Sequence, residues 1–419
     1  MLLQNQEDTI LYNFVFQGEM KGKRVIMRKR IFVFVLAICM IFNLSSCSKT
    51  NNTVDNKDDD VIRIGYIGPL TGEGVPWGSA EINGLNMIVE ELNAQGGIMG
   101  KKIQVYSYDN RMDNVETTNA ARKAIVNDKV VAIIGCNASS NSIALANVCE
   151  EYKVPHIATT STNPMVTVKE DGTVRPYSFR VTITDPQLGT VMGKFASSTL
   201  KAKTAAVLYE IGSDYSMGLK DNFIETFKEN GGEVQTVEAY KTGDVDFRAQ
   251  LTKIKEGNPD VIFLPALYKE IALATNQARD LGIQSTFLGG DTWVNTDLFT
   301  LAPEAVEGSY YVTYFNNTDP EFDDYKEKYE EKYGYVPGGE GANSFFITDI
   351  MLLLADVIEK EQSIDPEKIR DGLENAEGVK GLTSELTINK EDHNPINPAV
   401  IFKVLIDPDR FEYIDSINP

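Results

Sequence analysis

The chain has 419 residues, with 40 Lys and Arg against 61 Asp and Glu, a formal net charge of −21. So acidic a surface disfavours nucleic acid as a partner, since phosphate contacts need the opposite sign. The length is more than one hydrophobic core usually serves and points to two domains.

In chain order, the first readable segment is a targeting signal. Met27-Arg28-Lys29-Arg30 is basic, residues 31–42 are an unbroken apolar run, and Leu44-Ser45-Ser46-Cys47 follows. Basic, apolar, then small is the order of a secretory signal peptide, and the run is shorter than the ~20 apolar residues of a spanning helix. Residues 1–26 read as a start-site extension ahead of a signal over 27–46; an internal signal anchor is the alternative. The Leu-Ser-Ser-Cys ending resembles a bacterial lipobox, which implies lipidation at Cys47. A signal cleaved elsewhere, with Cys47 an incidental thiol, is the other reading. Residues 47–60 are polar and read as a flexible tether. The chain is thus expected outside the cytoplasm, lipid-anchored to the cell membrane.

From Val61 strands and helices alternate. The pattern predicts a strand over 62–67, a helix whose face carries Ile82, Leu85, Val89 and Leu92 and stops at Gly96-Gly97, and a strand near Ile103 and Val105. Asp113, with Glu116 three residues on, reads as an N-cap with a capping-box acid. A strand over 130–134, a helix over 139–152 and a strand over 154–158 complete a first run. The same grammar repeats as strand 205–209, helix 217–229, strand 233–238, helix 246–256, strand 260–264, helix 269–281 and strand 286–288. Residues 319–376 look mostly helical, and 386–388 and 399–406 read as late strands. This is an α/β chain of two doubly wound parallel-sheet lobes joined by multiple crossovers. The first lobe is expected over 61–184 with most of 315–380. The second is expected over 185–314 with part of 381–419.

Two apolar runs end in hydroxyl clusters: residues 130–142, VVAIIGCNASSNS, and residues 154–164, VPHIATTSTNP. In open parallel sheets, ligands sit beyond the carboxyl ends of the strands. Ser139 is placed to cap the helix that follows, where free N–H groups and the helix dipole suit a carboxylate. Thr160, Ser161 and Thr162 occupy the equivalent place after the next strand. Ordinary turn and capping chemistry would also account for such residues.

The opening Ile64-Gly65-Tyr66-Ile67-Gly68-Pro69-Leu70-Thr71-Gly72 is followed by Trp77-Gly78, Asn83-Gly84 and Asn93-Ala94-Gln95-Gly96-Gly97-Ile98-Met99-Gly100. Tyr108-Asp109, Ile134-Gly135, Thr162-Asn163-Pro164, Asp214-Tyr215 and Gln277-Ala278-Arg279 come after. In this order and spacing, the chain resembles the branched-chain amino-acid (Leu/Ile/Val) binding proteins of ABC transporters, with the type I periplasmic-binding fold, from about Val61 to about Val404. The resemblance implies that two lobes close over one amino acid. Ser139 and Thr162 would hold its carboxylate and ammonium, helped by backbone at Asn137 and Thr160, with Ala138 and Ser161 in the same loops. Asp291 would pair with the ammonium from the second lobe. Tyr215 would close over the ligand and Trp77 would line its side-chain pocket. Tyr268 adjoins Leu267, where the family often has a tyrosine, and the family's two first-lobe cysteines are Met112 and Ala138 here. Asn137 stands where an apolar residue would suit a leucine side chain.

The resemblance implies delivery of an aliphatic or related amino acid to ABC permease subunits by a monomer that needs no cofactor. The same fold could instead sense a ligand, or bind an amide, urea or another small carboxylate. No enzyme is read here. HExxH, paired Cys-x-x-Cys and Walker sequences are absent from the chain, His156 reads as a packed strand residue and His393 falls in a polar turn. Cys136 and Cys149 could form a disulfide or remain buried thiols.

Overall fold

The computed structural model describes residues 61–336, 342–395 and 397–417. The signal segment, Cys47 and the tether lie outside the described residues.

The first sheet is parallel, with strands β1 (Val61–Gly68), β2 (Lys102–Asp109), β3 (Ala132–Ile134), β4 (His156–Ala158) and β5 (Ser178–Arg180) in the order β2-β1-β3-β4-β5. Its middle strands are buried on both faces, which is why β1 and β3 read as nearly continuous apolar runs. The second sheet has β6 (Thr204–Glu210), β7 (Glu233–Tyr240), β8 (Val261–Phe263), β9 (Thr286–Gly289) and β10 (Tyr310–Thr313) parallel. After a short β11–β12 pair (Val379–Lys380 and Glu385–Leu386), β13 (Ala399–Ile406) and β14 (Asp409–Ile417) extend this second sheet antiparallel. Its order is β14-β13-β10-β9-β8-β6-β7.

The helices of the first lobe begin with α1 (Val75–Ala94), α2 (Asn114–Val126) and α3 (Ser139–Tyr152). Asp113 caps α2 as expected, accepting from the N–H groups of Val115 and Glu116 at 2.8 Å each. Glu116 does not close a capping box; it pairs with Arg111 at 2.6 Å. In the second lobe, α4 (Asp185–Lys194), α5 (Asp214–Glu229), α6 (Arg248–Gly257) and α7 (Tyr268–Asp280) flank the sheet. The chain then returns to the first lobe. After α8 (Asp323–Tyr333), α9 (Asn343–Glu361) lies along α1, and α10 (Pro366–Glu374) follows. Gly84 permits that approach, because a Cβ there would sit 2.6 Å from the Ser344 carbonyl oxygen. At the same crossing, buried Glu81 accepts from Tyr66 Oη at 2.8 Å, Thr159 Oγ1 at 2.6 Å and Asn343 Nδ2 at 3.2 Å. Burial pushes its carboxyl up to about 7. The chain therefore passes between the lobes three times: after β5, after β10 and before β13.

Several expectations are revised. Ala138, not Ser139, is the N-cap of α3, and it contributes no side-chain cap. Ser139 Oγ is instead the acceptor for the Asn163 N–H at 3.2 Å, so it ties two loops together. Cys136 and Cys149 are both buried free thiols. His156 is a packed strand residue, as expected. Burial drives its pKa down to about 3, and Nδ1 lies 2.9 Å from Ser178 Oγ. His393 sits in a turn but is buried, stacked on Phe179 at 4.3 Å. Strands β5, β10 and β14 and helix α4 had no counterpart in the sequence reading.

Candidate functional site

The strand orders locate the site. In the first sheet the order reverses between β1 and β3, and in the second between β6 and β8. At such a switch point adjacent loops leave in opposite directions and open a crevice at the carboxyl ends of the strands. A cavity of about 480 Å³ lies there, with walls from both lobes. Glu73 and Trp77 follow β1; Asn137, Ala138 and Ser139 follow β3; Thr160 follows β4. Gly212 and Ser213 follow β6, Pro265 to Leu267 follow β8, and Asp291 and Thr292 follow β9.

The glycine that ends the apolar run before the first hydroxyl cluster has a geometric cause. Gly135 has φ +127°, and a Cβ there would sit 2.0 Å from the Ile67 carbonyl oxygen. Only glycine lets β3 pass that close to β1 and turn directly into the 136–139 loop. Because α3 has no side-chain cap, its first N–H groups stay available at the cavity wall, with the positive end of the dipole behind them. Ser139 Oγ accepts from Asn163, which leaves its own proton free to donate.

Across the cavity, Asp291 opens a single-turn helix, Asp291–Trp293, after β9. It is 8% exposed. Its Oδ2 is hydrogen-bonded to the Tyr314 hydroxyl, while Oδ1 is buried without a hydrogen-bond partner. Burial raises its carboxyl to about 6, against the lowering effect of the Tyr314 and Tyr215 hydroxyls. Tyr314 Oη also lies 3.0 Å from the Thr160 carbonyl oxygen. A phenol has one proton, so both contacts hold together only when Asp291 is protonated and donates to Tyr314. Tyr215 Oη meets Thr292 Oγ1 at 3.1 Å, and Thr292 Oγ1 donates to the Ala266 carbonyl at 2.6 Å. Gly290 makes room for that phenol, since a Cβ would meet it at 2.3 Å.

Of the sequence-predicted residues, Trp77, Asn137, Ala138, Ser139, Thr160, Tyr215 and Asp291 line the one cavity. Ser161, Thr162 and Tyr268 do not; they stand behind its wall. The Ser161 hydroxyl bonds to the Cys136 carbonyl at 2.8 Å and to Ser142 Oγ at 2.6 Å. Thr162 is fully buried beside Asp185, whose carboxyl burial pushes well up. Tyr268 packs edge-on against Trp77, ring centres 5.6 Å apart.

Contacts that join the lobes at the rim were not foreseen. Ser140 Oγ donates to Asp214 Oδ2 at 2.8 Å, Asn163 Nδ2 to the Asp214 carbonyl at 2.7 Å, and Lys269 pairs with Glu73 at 2.8 Å. Tyr314, Glu210 and Glu270 were also missed. Tyr314 directly follows β10, Glu210 ends β6 and Glu270 lies in the first turn of α7, where a sequence pattern shows only another polar residue. Among the described residues there is no cluster of three or more His, Cys, Asp or Glu able to hold a metal, and no helix long and apolar enough to cross a membrane.

Comparisons with known proteins agree with this two-lobed α/β architecture. Residues 61–408 match the model of the periplasmic binding protein family. A leucine-, isoleucine-, valine-, threonine- and alanine-binding protein of Pseudomonas aeruginosa is 28% identical over 320 residues, 75% of this chain and 82% of its own. The crystal structure of a leucine binding protein, LivK, from Thermotoga maritima has a TM-score of 0.78 at 34% identity, covering 85% of this chain and 99% of that one. The substrate binding protein LivJ of Streptococcus pneumoniae, solved with isoleucine, has a TM-score of 0.77 at 27% identity, over 86% and 100%. The chain belongs to the periplasmic binding protein family, in its type I branch with the Leu/Ile/Val-binding proteins of ABC transporters.

Proposed function

We propose that the chain binds an amino-acid zwitterion between its lobes and hands it to the permease of an ABC importer. The observation that carries this is the unpartnered Oδ1 of Asp291 in the same cavity as the Ser139 hydroxyl and the uncapped start of α3. A zwitterion needs donors at one end and an anionic acceptor at the other. When Asp291 is ionised, the Tyr314 hydroxyl donates its hydrogen bond to it alone, which frees the Thr160 carbonyl as a second acceptor for the ammonium. Ser139 and the N–H groups of residues 139–141 receive the carboxylate. Ligand then ties one lobe to the other and favours the closed arrangement.

The Asp291 carboxyl supplies a pH test. Its pKa near 6 means that below pH 6 the site must lose a proton before it can pair with an ammonium. The Kd for the bound amino acid is expected to rise as pH falls through 6, by up to ~10-fold per unit, and to be flat from 7 to 8. Calorimetric titration from pH 5 to 8 measures this; an affinity indifferent to pH would speak against an ion pair with Asp291.

We also propose that the chain works outside the cytoplasm as a monomer on a lipid anchor at Cys47. The support is the Leu44-Ser45-Ser46-Cys47 ending and the polar residues 48–60. A doubly or triply acylated cysteine holds a protein on a bilayer, whereas a single chain binds reversibly. Cys47→Ala should move the protein from the membrane fraction to the soluble fraction of expressing cells. Retention on the membrane would refute the anchor.

A further inference from the structure

The wall of the cavity is unlike that of a pocket for a branched aliphatic side chain. Glu73, Asp113, Glu210 and Glu270 line the cavity, with Arg111 its one cationic lining residue; of the four acids, Asp113 is committed to capping α2. Arg111 is committed to Glu116, and Lys269, next to Glu270 in sequence, is committed to Glu73. Glu270 lies in the first turn of α7 and is 9% exposed. Its Oε2 is buried without a hydrogen-bond partner. Glu210, at the end of β6, accepts from Thr242 Oγ1 and forms no ion pair among the described residues. Glu73, Glu210 and Glu270 line the same cavity, and the charges of Glu210 and Glu73 add to burial in raising the Glu270 carboxyl.

The polar atoms of this wall all ask for the same thing. Among the lining residues, the buried side-chain atoms without a partner are Asn137 Oδ1, Asn141 Oδ1, Glu270 Oε2 and Asp291 Oδ1. All four are acceptors. The α-ammonium satisfies Asp291 and leaves the other three in the cavity wall without a partner. A leucine side chain would leave them dry, which is costly for buried polar groups and most costly for a carboxylate. In the same cavity Trp77, Met112 and Leu267 supply apolar wall for a methylene stem.

We propose that this site takes an amino acid whose side chain ends in a cationic N–H donor group, an ammonium or a guanidinium, with Glu270 and Glu210 as its counter-charges. The proposal rests on the amino-acid reading of the cleft and specifies the ligand's side chain. Asn137, which departs from what a leucine pocket would want, becomes an acceptor for the cationic head.

Calorimetric titration of the purified full chain at pH 7.5 tests it, using L-arginine, L-lysine, L-citrulline, L-leucine and agmatine. L-Arginine or L-lysine is expected to bind at least tenfold tighter than L-leucine. L-Arginine should also bind at least tenfold tighter than L-citrulline, which has nearly the same shape without the charge. Glu270→Gln should cost at least tenfold in affinity for the cationic amino acid. Tighter binding of L-leucine than of both cations, or equal binding of arginine and citrulline, overturns the cationic end and leaves the zwitterion clamp standing. Agmatine keeps the guanidinium and lacks the carboxylate. Its binding in the absence of any amino-acid binding supports the cationic end and overturns the clamp. Failure of all five to bind overturns both.

Discussion

Asp291→Asn is expected to raise the Kd for the bound amino acid by at least ~30-fold, and by as much as several thousand-fold, while the protein stays folded. The lower bound corresponds to about 2 kcal/mol and the upper to about 5 kcal/mol, the range for removing one partner of a buried, hydrogen-bonded charge pair. The amide keeps the shape of the carboxyl, so the Tyr314 contact and the Asp291–Trp293 turn have no steric reason to move. Stability should change in the opposite direction from binding. A carboxyl raised from 3.8 to about 6 by burial favours the protonated folded state, so its contribution is full below pH 4 and is lost as pH rises to 6. At neutral pH the ligand-free protein carries that cost, roughly 3 kcal/mol in scale. The Asn variant does not, and its melting temperature without ligand should equal or exceed that of the wild type at pH 7.5. Titration calorimetry and a melting curve read the two effects separately. Undiminished affinity would remove Asp291 from the site.

Trp293→Ala should be the most damaging single change to the wall that carries Asp291. The indole is fully buried, its Nε1–H donates to the Leu264 carbonyl at 2.9 Å, and its ring lies against Phe287. Gly289 has given up its side chain to admit it; a Cβ there would fall 2.0 Å from the ring. Truncating a buried aromatic costs about 3–5 kcal/mol, and the Leu264 carbonyl loses its donor as well. For a body of this size the melting temperature should fall by on the order of 10 °C. Because the indole pins the turn that begins at Asp291, amino-acid affinity should fall with it. Trp293→Phe, which keeps most of the volume and loses the hydrogen bond, should cost about 1–2 kcal/mol. A drop of less than 2 °C for the alanine variant would refute the pinning role.

The regular alternation of strands and helices was legible because a strand buried on both faces must be apolar throughout. The helix over 139–152 and the strand over 399–406 fall where periodicity puts them. Strand β5 was not legible, since Ser178-Phe179-Arg180 carries a buried arginine and a serine in a fully buried strand. That arginine is satisfied by the carbonyls of Ser161 at 2.9 Å and Asn163 at 2.7 Å, partners that no local pattern reveals. Strand β14 is polar and mostly exposed at the sheet edge, so hydrophobicity did not mark it. In the site, the hydroxyl loops could be read because they follow strand ends directly. Tyr314 could not, because it lies on a crossover and reaches Asp291 and Thr160 only in three dimensions. Glu210 and Glu270 were hidden by composition: in so acidic a chain, two more glutamates attract no notice.

The threefold passage between lobes governs how the chain can mature. Helix α9 covers α1, and Asn343 reaches back 262 residues to Glu81. A polypeptide made from its N-terminus therefore completes β1 through β5 long before the helix that covers α1 exists. Contacts of such sequence separation must overcome large loop-closure entropy, which places the chain among slow folders of high contact order. Until residue 361 has been made, the face of α1 at Gly84, which packs on Ser344 and Ile347 in the apolar core, has no helix over it. Any product that ends earlier exposes that apolar face, the feature by which incomplete chains aggregate or are degraded.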